Sequence, residues 1–428
     1  MGTEYDKTIE TESLNPVYPY MPRAEWERRI SKARSLMAEK GIDAILILNG
    51  QDALYFFGRE KAYKSGFPFI GIIPREGATT LVSENEYSSL VDWEGYVHRN
   101  IGYRGDIPAP TEKAPDPVKL AAEVIEDLGL ANKTIGMEFG RFLWWDGFNM
   151  NEWEQLKKEL PQAKFVDASD LIWEMRMIKS DWELEVMRYL YRATARGYLH
   201  ICNNARPGKN EKELFYEAMR IWMEEGIIDS TNYMLNVILA GGRLGPSSPE
   251  QVRGRFLSLH PYRDRILEKG DYLLLDGGPT YKGYSVDIQR MIHIGDPGQE
   301  IRRLGELAVR AQEAVEDILK PGITAGDIYM TGFSKVAEVI PSIWYRLGSR
   351  KTSGWCGHGE GLNMHEPPYL CKGSEVVIRE GMTISVEIST VAEDKRLANM
   401  PEDVYLITKD GFELLTKELG PGGIYIHL

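Results

Sequence analysis

The chain has 428 residues, of which 43% are apolar and 10% aromatic, so it can bury a core and is long enough for two domains. Its 51 lysine and arginine residues against 64 aspartate and glutamate residues give a formal net charge of −13. This acidic balance excludes non-specific binding of nucleic acid, which requires a basic face, and it opposes binding to an anionic membrane surface. The acid excess alone indicates no functional partner, because most acidic proteins owe such a surplus to solubility.

The N-terminal sequence has neither a basic start nor an apolar stretch, so we expect no secretory signal. No run of about 18 apolar residues occurs, and we therefore expect no transmembrane helix. Cys202, Cys356 and Cys371 are odd in number and lack a paired spacing, which favours a reducing compartment. These features predict a soluble, cytoplasmic protein.

The sequence of the first part of the chain predicts a short arm followed by an α/β domain. Residues 1–22 are polar and contain several proline and tyrosine residues, which indicates an arm outside the core. From residue 23 onward, amphipathic helical stretches such as residues 23–40 alternate with short apolar strands such as residues 44–48. This alternation predicts an α/β domain over residues 23–177, and a second domain is expected over residues 178–428.

The second domain contains a faint internal repeat. Residues 206–214 (RPGKNEKEL) end one helix and start another, and an Asn-x-x-Glu sequence has the spacing of a capping box. Residues 320–328 (KPGITAGDI) do the same with Thr-x-x-Asp. The match indicates that two similar α/β units make up the domain, although Pro-Gly is also a common stop signal after a helix.

Two aspartates form the first pair of candidate catalytic groups. An apolar stretch leads to Asp276, a Gly-rich bend follows, and residues 284–288 alternate as a second strand that carries Asp287. Such a hairpin would direct both carboxylates into one pocket, where they cannot both stay ionised without a nearby positive charge. A divalent metal ion would supply this charge, whereas an aspartate at a strand end is often only a turn former.

Three further segments add candidate metal ligands. GHGEGLNMHEPP contains His358 and His365, and the glycines beside the first histidine allow close approach of the backbone. GMTISVE and MPEDVYLIT are apolar segments that each bring one carboxylate inward, that of Glu387 and that of Glu402. Four carboxylates with one imidazole suit Mn²⁺, Fe²⁺, Co²⁺ or Zn²⁺ and are too rich in oxygen for a structural zinc site. Two such ions would nearly neutralise the carboxylates and could hold a deprotonated water at neutral pH.

The ordered set of five candidate ligands resembles that of the pita-bread metallopeptidase superfamily, which includes methionine aminopeptidase, prolidase, aminopeptidase P and creatinase. MRMIKSDWE also resembles the start of the catalytic domain in the prolidase and creatinase branch, whose members carry an extra N-terminal α/β domain. The resemblance covers nearly all of residues 23–420. It implies an α/β (α+β) fold, in which a creatinase/prolidase-like N-terminal domain precedes a pseudo-twofold pita-bread catalytic domain.

The resemblance also implies a role for each ligand. Asp276 would chelate one metal ion, and His358 and Glu387 would bind the other ion. Asp287 and Glu402 would span both ions. Glu387 would in addition move the proton from the bridging water to the leaving nitrogen. The expected cofactor is a pair of divalent ions, with Mn²⁺ preferred and Fe, Co or Zn as alternatives.

Two histidines correspond to substrate-binding residues of the family. His365 matches the histidine that contacts the substrate and stabilises the tetrahedral intermediate. His260 resembles the histidine that precedes the first aspartate and binds the substrate or its leaving group, but this match requires a gap of one residue. Either histidine could instead only be hydrogen-bonded in a loop. Arg290, three residues after Asp287, is expected to orient a carboxylate.

Three positions depart from the proline-specific members. Met400 stands where those members have an arginine that helps to bind the carboxylate end of the substrate, and Ile388 stands where they have a proline. Glu360 replaces a residue that is commonly apolar. If Met400 and Glu360 line the substrate pocket, the lost cation and the added anion favour a cationic or neutral small substrate. Drift within a broad peptidase branch explains them equally well.

The preferred hypothesis is a dinuclear-metal hydrolase that cleaves short Xaa-Pro peptides through a metal-bridging hydroxide, as Xaa-Pro dipeptidases and aminopeptidase P do. The alternative is a small-molecule enzyme on the same scaffold, similar to creatinase, ectoine hydrolase or the family's dimethylsulfoniopropionate lyase. The complete ligand set disfavours both the metal-free mechanism of creatinase and a catalytically silent binding protein. A cysteine hydrolase built on Cys356 is weaker still, because nothing in the sequence places a base beside this residue.

The resemblance finally implies a homodimer in which the N-terminal domain of one subunit leans over the active site of the other. Aromatic and basic residues of the N-terminal domain are candidates for this lid, although aromatics of this kind more often form core or interface. The candidates are Tyr55, Phe56, Phe57, Arg59, Trp144 and Trp145.

Overall fold

The computed structural model describes residues 21–58, 69–84, 96–103, 116–139, 148, 150–227, 240–243, 266–339, 354–391, 397–420, 422 and 425–427. The chain forms two compact units, residues 1–176 and residues 177–428. Among the helices that the structure describes, none is both long enough and apolar enough to cross a bilayer.

The N-terminal unit is a mixed six-stranded sheet with helices. The strand order is β4-β3-β2-β1-β5-β6, and β1 is antiparallel to β2 but parallel to β5. The elements in chain order are α1 (Arg23–Lys40), β1 (Ala44–Ile47), α2 (Gly50–Phe57), β2 (Ile70–Pro74), β3 (Thr80–Glu84), β4 (Arg99–Tyr103), α3 (Pro117–Asp127), β5 (Thr134–Met137), α4 (Met150–Glu159), β6 (Lys164–Asp167) and α5 (Ser169–Met177).

The aromatic residues of α2 belong to the core of the N-terminal unit. Tyr55, Phe56 and Phe57 are each 0% exposed. The Tyr55 hydroxyl donates to the Met175 carbonyl, and the guanidinium carbon of Arg29 lies 4.0 Å from the Tyr55 ring centroid. These three residues are therefore not available as a lid over another subunit. The other lid candidates, Arg59, Trp144 and Trp145, lie outside the described residues.

The C-terminal unit is built on an eight-stranded sheet. Its central order is β10-β11-β14-β9-β8-β7, with β15 beside β14 and β16 beside β9, while β12 and β13 form a separate pair. The elements are α6 (Asp181–Asn204), α7 (Glu211–Glu224), β7 (Ala240–Arg243), β8 (Asp271–Asp276), β9 (Gln289–Ile294), α8 (Gln299–Glu316), α9 (Ala325–Val339), β10 (Gly357–Gly359), β11 (Thr383–Glu387), β12 (Thr390–Val391), β13 (Leu397–Asn399), β14 (Glu402–Ile407), β15 (Phe412–Leu414) and β16 (Tyr425–His427).

Equivalent hydrogen bonds occur in the two halves of this unit, at the turns between α6 and α7 and between α8 and α9. The N–H of Gly208 donates to the Leu267 carbonyl and the N–H of Gly322 donates to the Ile378 carbonyl, both at 2.9 Å. In each half the partner then donates back to the residue after the glycine. Both glycines have a left-handed φ, 89° and 98°, which side chains disfavour. The common pattern supports the internal repeat.

The two helix starts of the repeat are capped by the side chains that the sequence indicated. The Thr324 hydroxyl accepts from the Asp327 N–H at 3.1 Å, and the Asp327 carboxylate accepts from the Thr324 N–H at 2.8 Å. This reciprocal arrangement is a capping box. Asn210 caps α7 by accepting from the Lys212 N–H at 2.9 Å.

A buried polar cluster lies at the ends of β1 and β5 in the N-terminal unit. The Asn49 amide donates to Asp52 Oδ2 at 2.6 Å and also to the carboxyl group of Glu138. Arg176 Nη1 forms a buried ion pair with Asp52 Oδ1 at 2.9 Å. Burial and the neighbouring Asp52 carboxylate raise the pKa of Glu138 from 4.5 to about 10. Glu138 therefore carries a proton in the folded protein at neutral pH.

The raised pKa of Glu138 makes stability depend on pH. The folded state holds a proton that the unfolded chain loses above pH 4.5, so this group's contribution is complete at low pH and is lost as the pH rises towards 10. The free energy of unfolding should fall by up to about 1.4 kcal/mol per pH unit from this cause. Glu138→Gln mimics the protonated carboxyl, so the variant should match the wild type at pH 5 and be more stable at pH 9.

Urea unfolding of both proteins at pH 5, 7 and 9 measures this difference. Glu123→Gln, at an exposed position of α3, is the matched control and should follow the wild type throughout. A pH dependence that is the same in Glu138→Gln and the wild type would contradict the assignment.

Candidate metal centre

One row of paired residues crosses the C-terminal sheet and carries most of the candidate ligands. Glu387 pairs with Glu402, Glu402 with Gln289, and Gln289 with Asp276. Glu387 and Asp276 are the last residues of β11 and β8, whereas Glu402 and Gln289 are the first residues of β14 and β9. Because neighbouring antiparallel strands run in opposite directions, the end of one meets the start of the next. Four strands thus bring their terminal side chains to the same edge of the sheet.

Asp287 and His358 complete the set. Asp287 lies two residues before β9 and is 2% exposed, and His358 is the central residue of β10 and is 0% exposed. His358 Nε2 lies 3.5 Å from Asp287 Oδ2 and 3.5 Å from Glu402 Oε1. The structure therefore brings together all five residues that the sequence indicated as metal ligands.

The backbone before β9 differs from the sequence prediction. Residues 284–288 were expected to form a strand beside β8, but β9 begins only at Gln289. The Ser285 N–H donates to the Gly361 carbonyl at 2.9 Å, and the Asp287 N–H donates to the Glu360 carboxylate at 3.4 Å. These backbone donors bond to the histidine-containing segment instead of β8, which explains why the ladder starts later.

The arrangement of donor atoms fits divalent metal ions. Three groups have ligand atoms within 4.8 Å of one another, namely Asp276, Asp287 and Glu402; His358, Glu387 and Glu402; and Asp287, His358 and His365. Asp287 Oδ1, Glu402 Oε2 and His358 Nε2 are buried, and none of the three has a hydrogen-bond partner among the described residues. Buried polar atoms without partners are rare and costly in folded proteins. Coordination of cations would satisfy these atoms.

Mutual repulsion dominates the electrostatics of the carboxylates. Burial, together with the neighbouring carboxylates, raises the pKa of Asp276 and of Glu387 well above its usual range. The same causes raise the pKa of Glu402 to about 7. Protons therefore offset the crowded negative charge when no cation is bound, and binding of a metal ion would release them.

The two imidazoles act in the opposite sense on Asp287. Burial raises its pKa, but the imidazoles of His358 and His365, whose Nε2 atoms lie 3.5 Å and 2.8 Å from Asp287 Oδ2, outweigh this effect and lower the pKa to about 2. Burial lowers the pKa of His358, but the carboxylates of Asp287 and Glu402 outweigh burial and raise it well above the usual value. His358 Nδ1 lies 3.1 Å from the Gly359 carbonyl, which can only accept. Nδ1 therefore carries a proton, and Nε2 is the atom that can bind a metal ion.

Hydrogen bonds from two polar residues orient the ligands, and neither residue was identified from the sequence. Gln289 Nε2 donates to Glu387 Oε2 at 3.3 Å, and the Ser385 hydroxyl donates to Glu402. Ser385 lies two positions before Glu387 in β11, and this spacing places both side chains on the same face of the strand, which is the signal that could have identified Ser385. Gln289 lies two positions after Asp287, but Asp287 is outside β9, so the same signal does not apply to it.

His365 lies in the site, at its accessible side. Its side chain is 25% exposed, and Nε2 lies 2.8 Å from Asp287 Oδ2. The His365 ring centroid is 4.1 Å from that of His358, and the Trp355 ring lies 5.4 Å from both imidazoles. His260, the other histidine expected to bind substrate, lies outside the described residues.

The two departures from the peptidase pattern are buried. Glu360 is 0% exposed and Met400 is 7% exposed. The Tyr191 hydroxyl donates to the Glu360 carboxylate, and Met400 packs within the hydrophobic core of the unit. The sequence argument for a cationic or neutral small substrate requires both side chains to line the pocket. The metal ligands Asp287, His358 and Glu402 are equally buried, so burial does not test this argument and it stays a prediction.

Arg290 and Cys356 take structural positions. Arg290 Nη1 donates to the Glu402 carbonyl at 2.8 Å, and Nη2 donates to Asp403 Oδ1 at 2.5 Å. Arg290 thus holds the strand that carries Glu402, while the carboxylate that it contacts is that of Asp403. Burial raises the pKa of the Cys356 thiol, which excludes it as a thiolate nucleophile at neutral pH.

The fold and the ligand set together define a metal-dependent hydrolase with an additional N-terminal domain. Residues 185–409 match metallopeptidase family M24, and residues 29–178 match the creatinase/prolidase N-terminal domain. The first match covers more than half of the chain, which therefore belongs to metallopeptidase family M24. The expectations for the family, the fold class and the enzyme class are confirmed.

The similarity to known proteins extends over most of the chain. The Xaa-Pro dipeptidase of Pyrococcus horikoshii is 27% identical over 395 residues, 91% of this chain and 97% of the relative. That of Pyrococcus furiosus is 26% identical over 91% of this chain and 98% of the relative. Among solved structures, dipeptidase PepE from Mycobacterium ulcerans has 23% identity and a TM-score of 0.75, with coverage of 95% of this chain and 99% of that one.

A buried ion pair supports the histidine-containing segment. Lys179 Nζ lies 2.7 Å from Glu366 Oε1, and both side chains are 1% exposed. Glu366 directly follows His365 in the chain. Breaking a buried pair is costly because the remaining charge is left without compensation in a medium of low polarity.

Lys179→Met should therefore lower the free energy of unfolding by about 3–5 kcal/mol. Lys157→Met is the matched control, because Lys157 pairs with Glu154 on the surface and such pairs contribute less than about 1 kcal/mol. Denaturant unfolding of the three proteins measures the effect. The double variant Lys179→Met/Glu366→Leu should recover much of the loss, and equal effects of the two single variants would contradict the argument.

Proposed function

We propose that the protein is a dinuclear-metal hydrolase that cleaves Xaa-Pro dipeptides and other short Xaa-Pro peptides. The observation that carries the proposal is the set of four carboxylates and one imidazole, whose ligand atoms form overlapping groups. Two divalent ions would balance the four carboxylates, which a single ion would not. Similarity to Xaa-Pro dipeptidases along 91% of the chain supports the choice of substrate.

The overlap of the groups suggests which residues bind each ion. Asp276 occurs only in the group with Asp287 and Glu402, and Glu387 occurs only in the group with His358 and Glu402. Glu402 belongs to both groups, and Asp287 also to a group with His358, so these two carboxylates are the proposed bridges. We favour Mn²⁺ because the set is rich in oxygen, while Fe²⁺, Co²⁺ and Zn²⁺ accept the same ligands. When bound, two divalent ions lower the pKa of a water molecule and polarise the scissile carbonyl.

The side chains around the metal ligands supply the remaining steps. Glu387 is the proposed group that moves a proton from the attacking water to the leaving nitrogen. Gln289 holds one oxygen of this carboxylate through a 3.3 Å hydrogen bond, which fixes its orientation. His365 is partly exposed beside Asp287 and is proposed to contact the substrate and to stabilise the tetrahedral intermediate, as its counterpart in the family does.

Metal analysis and a substrate panel test this function. The panel contains Xaa-Pro dipeptides, creatine, ectoine and dimethylsulfoniopropionate, each assayed with Mn²⁺. We expect proline release that a chelator abolishes and added Mn²⁺ restores. Turnover of one of the three small molecules, without turnover of any Xaa-Pro peptide, would instead identify a small-molecule enzyme on the same scaffold.

Asp287→Ala tests the dinuclear site. It should lower kcat/KM for Xaa-Pro peptides by more than about 100-fold and reduce the bound Mn²⁺, since loss of outer partners of a metal site alone costs 10–100-fold. Asp410→Ala, at an exposed position, is the control and should retain activity and metal content. Retention of proline release in Asp287→Ala would contradict the dinuclear mechanism.

We also propose a cytoplasmic homodimer with domains at residues 23–177 and 178–428. The two compact units and the two family matches support these domain limits. Cys202 and Cys356 are buried free thiols, which suit a reducing compartment. The dimer follows from the resemblance to the prolidase and creatinase branch, and light scattering of the active protein measures it. A fully active monomer would contradict it.

A further inference from the structure

We propose that Glu360 is a positioning residue that, held by Tyr191, sets the place of Asp287 and thereby the affinity of the site for metal ions. The inference rests on the proposed function only in so far as Asp287 is a metal ligand. It assigns a task to a carboxylate that the reaction itself does not require.

Glu360 is fixed at its backbone as well as buried. Its N–H donates to the Thr383 carbonyl at 3.1 Å, and the Thr383 hydroxyl donates to the Glu360 carbonyl at 2.6 Å. The side chain is 0% exposed. The backbone of Glu360 directly follows β10 and is bonded to the first residue of β11, and the carboxyl group lies in the interior.

The carboxylate of Glu360 connects a helix to the Asp287 segment. Its Oε2 atom accepts a hydrogen bond from the Tyr191 hydroxyl on α6 and another from the Asp287 N–H at 3.4 Å. Tyr191 is 1% exposed, so its hydroxyl is also confined. The three groups form a continuous line from α6 to the backbone of a metal ligand.

Asp287 needs such a connection more than the other ligands do. Asp276, His358, Glu387 and Glu402 lie within strands whose ladder hydrogen bonds fix their backbones. Asp287 lies before β9, and its N–H bonds to Glu360 rather than to a neighbouring strand. The segment is also held by the Ser285 N–H, which donates to the Gly361 carbonyl, and by the Tyr198 hydroxyl, which donates to the Ile288 carbonyl. Of these contacts, only that of Glu360 reaches the Asp287 backbone itself.

Burial of Glu360 carries a cost that an apolar residue would avoid. Its Oε1 atom is buried and has no hydrogen-bond partner among the residues that the structure describes. Removing a carboxylate from water without full compensation is expensive. Glu360 is absent from the three groups of possible metal ligands formed by the described residues, so direct coordination does not offset this cost. The hydrogen bond to the Asp287 N–H, which places this metal ligand, is the interaction that offsets the cost of burying Glu360.

Three variants and one control test this role by measuring Mn²⁺ affinity of the metal-free protein against a competing chelator. Glu360→Leu removes the acceptor, Glu360→Gln keeps an acceptor oxygen, and Tyr191→Phe removes the hydroxyl. Tyr189→Phe is the control, because Tyr189 lies on the same helix but donates to the Glu225 carbonyl at 2.7 Å.

We expect Glu360→Leu and Tyr191→Phe to weaken Mn²⁺ binding by about 10–100-fold. Glu360→Gln should lie closer to the wild type than Glu360→Leu, and Tyr189→Phe should bind Mn²⁺ as the wild type does. In the Glu360→Leu background, Tyr191→Phe should have no further effect, since Tyr191 acts through Glu360. Thermal unfolding of each metal-free variant shows whether the fold itself is altered.

Wild-type Mn²⁺ affinity in Glu360→Leu would overturn the inference. Equal losses in Tyr191→Phe and Tyr189→Phe, parallel to losses in thermal stability, would indicate a purely structural role and would overturn it as well. No peptide is present in the measurement, so the outcome is independent of the substrate. If Asp287→Ala also retains wild-type affinity, the proposed metal site itself has failed; if only Glu360→Leu does, the positioning role alone has failed.

Discussion

Four carboxylates at one edge of a sheet, two of them buried and two half-buried, repel one another, and the metal centre is organised around this repulsion. Burial and neighbouring charge raise the pKa of Asp276 and Glu387 well above their usual range, so the set cannot stay fully ionised by itself. Hydrogen bonds from Gln289 and Ser385 and the His358 imidazole offset part of the charge. The negative charge that these groups leave uncompensated attracts cations, and the cluster is therefore suited to bind metal ions.

The ligands reach this edge by two different means. Those at strand ends are placed by main-chain pairing, which leaves little freedom and needs little support from side chains. Asp287 is placed by contacts between segments, through the Ser285 N–H and the Glu360 carboxylate. The strands thus fix most of the ligands, whereas the position of Asp287 depends on contacts with another segment. Mutations in that segment can change the position of Asp287 although every ligand is retained.

The sequence identified the metal ligands because each one stands beside a local signal, such as an apolar strand, a glycine or a second histidine. It did not identify Gln289 and Ser385, whose partners Glu387 and Glu402 lie 98 and 17 residues away in the chain. It also did not reveal the contacts of two residues beside the ligands, because Tyr191 is 169 residues from Glu360 and Lys179 is 187 residues from Glu366. The strand expected at residues 284–288 was wrong for the same reason, since its backbone donors bond to a segment far along the chain. Burial of Met400 likewise depends on packing that no local pattern reveals.

Two acids stand side by side on β14, and strand alternation directs Glu402 and Asp403 to opposite faces. A slip of the strand by one residue would exchange them and present a shorter carboxylate to the metal ions. Arg290 opposes this error, because it binds Asp403 on one side of the strand and the Glu402 carbonyl at the same time. The Thr416 hydroxyl also donates to Asp403. The contacts of Asp403 with Arg290 and Thr416 therefore stabilise the strand register in which Glu402, and not Asp403, faces the metal ions.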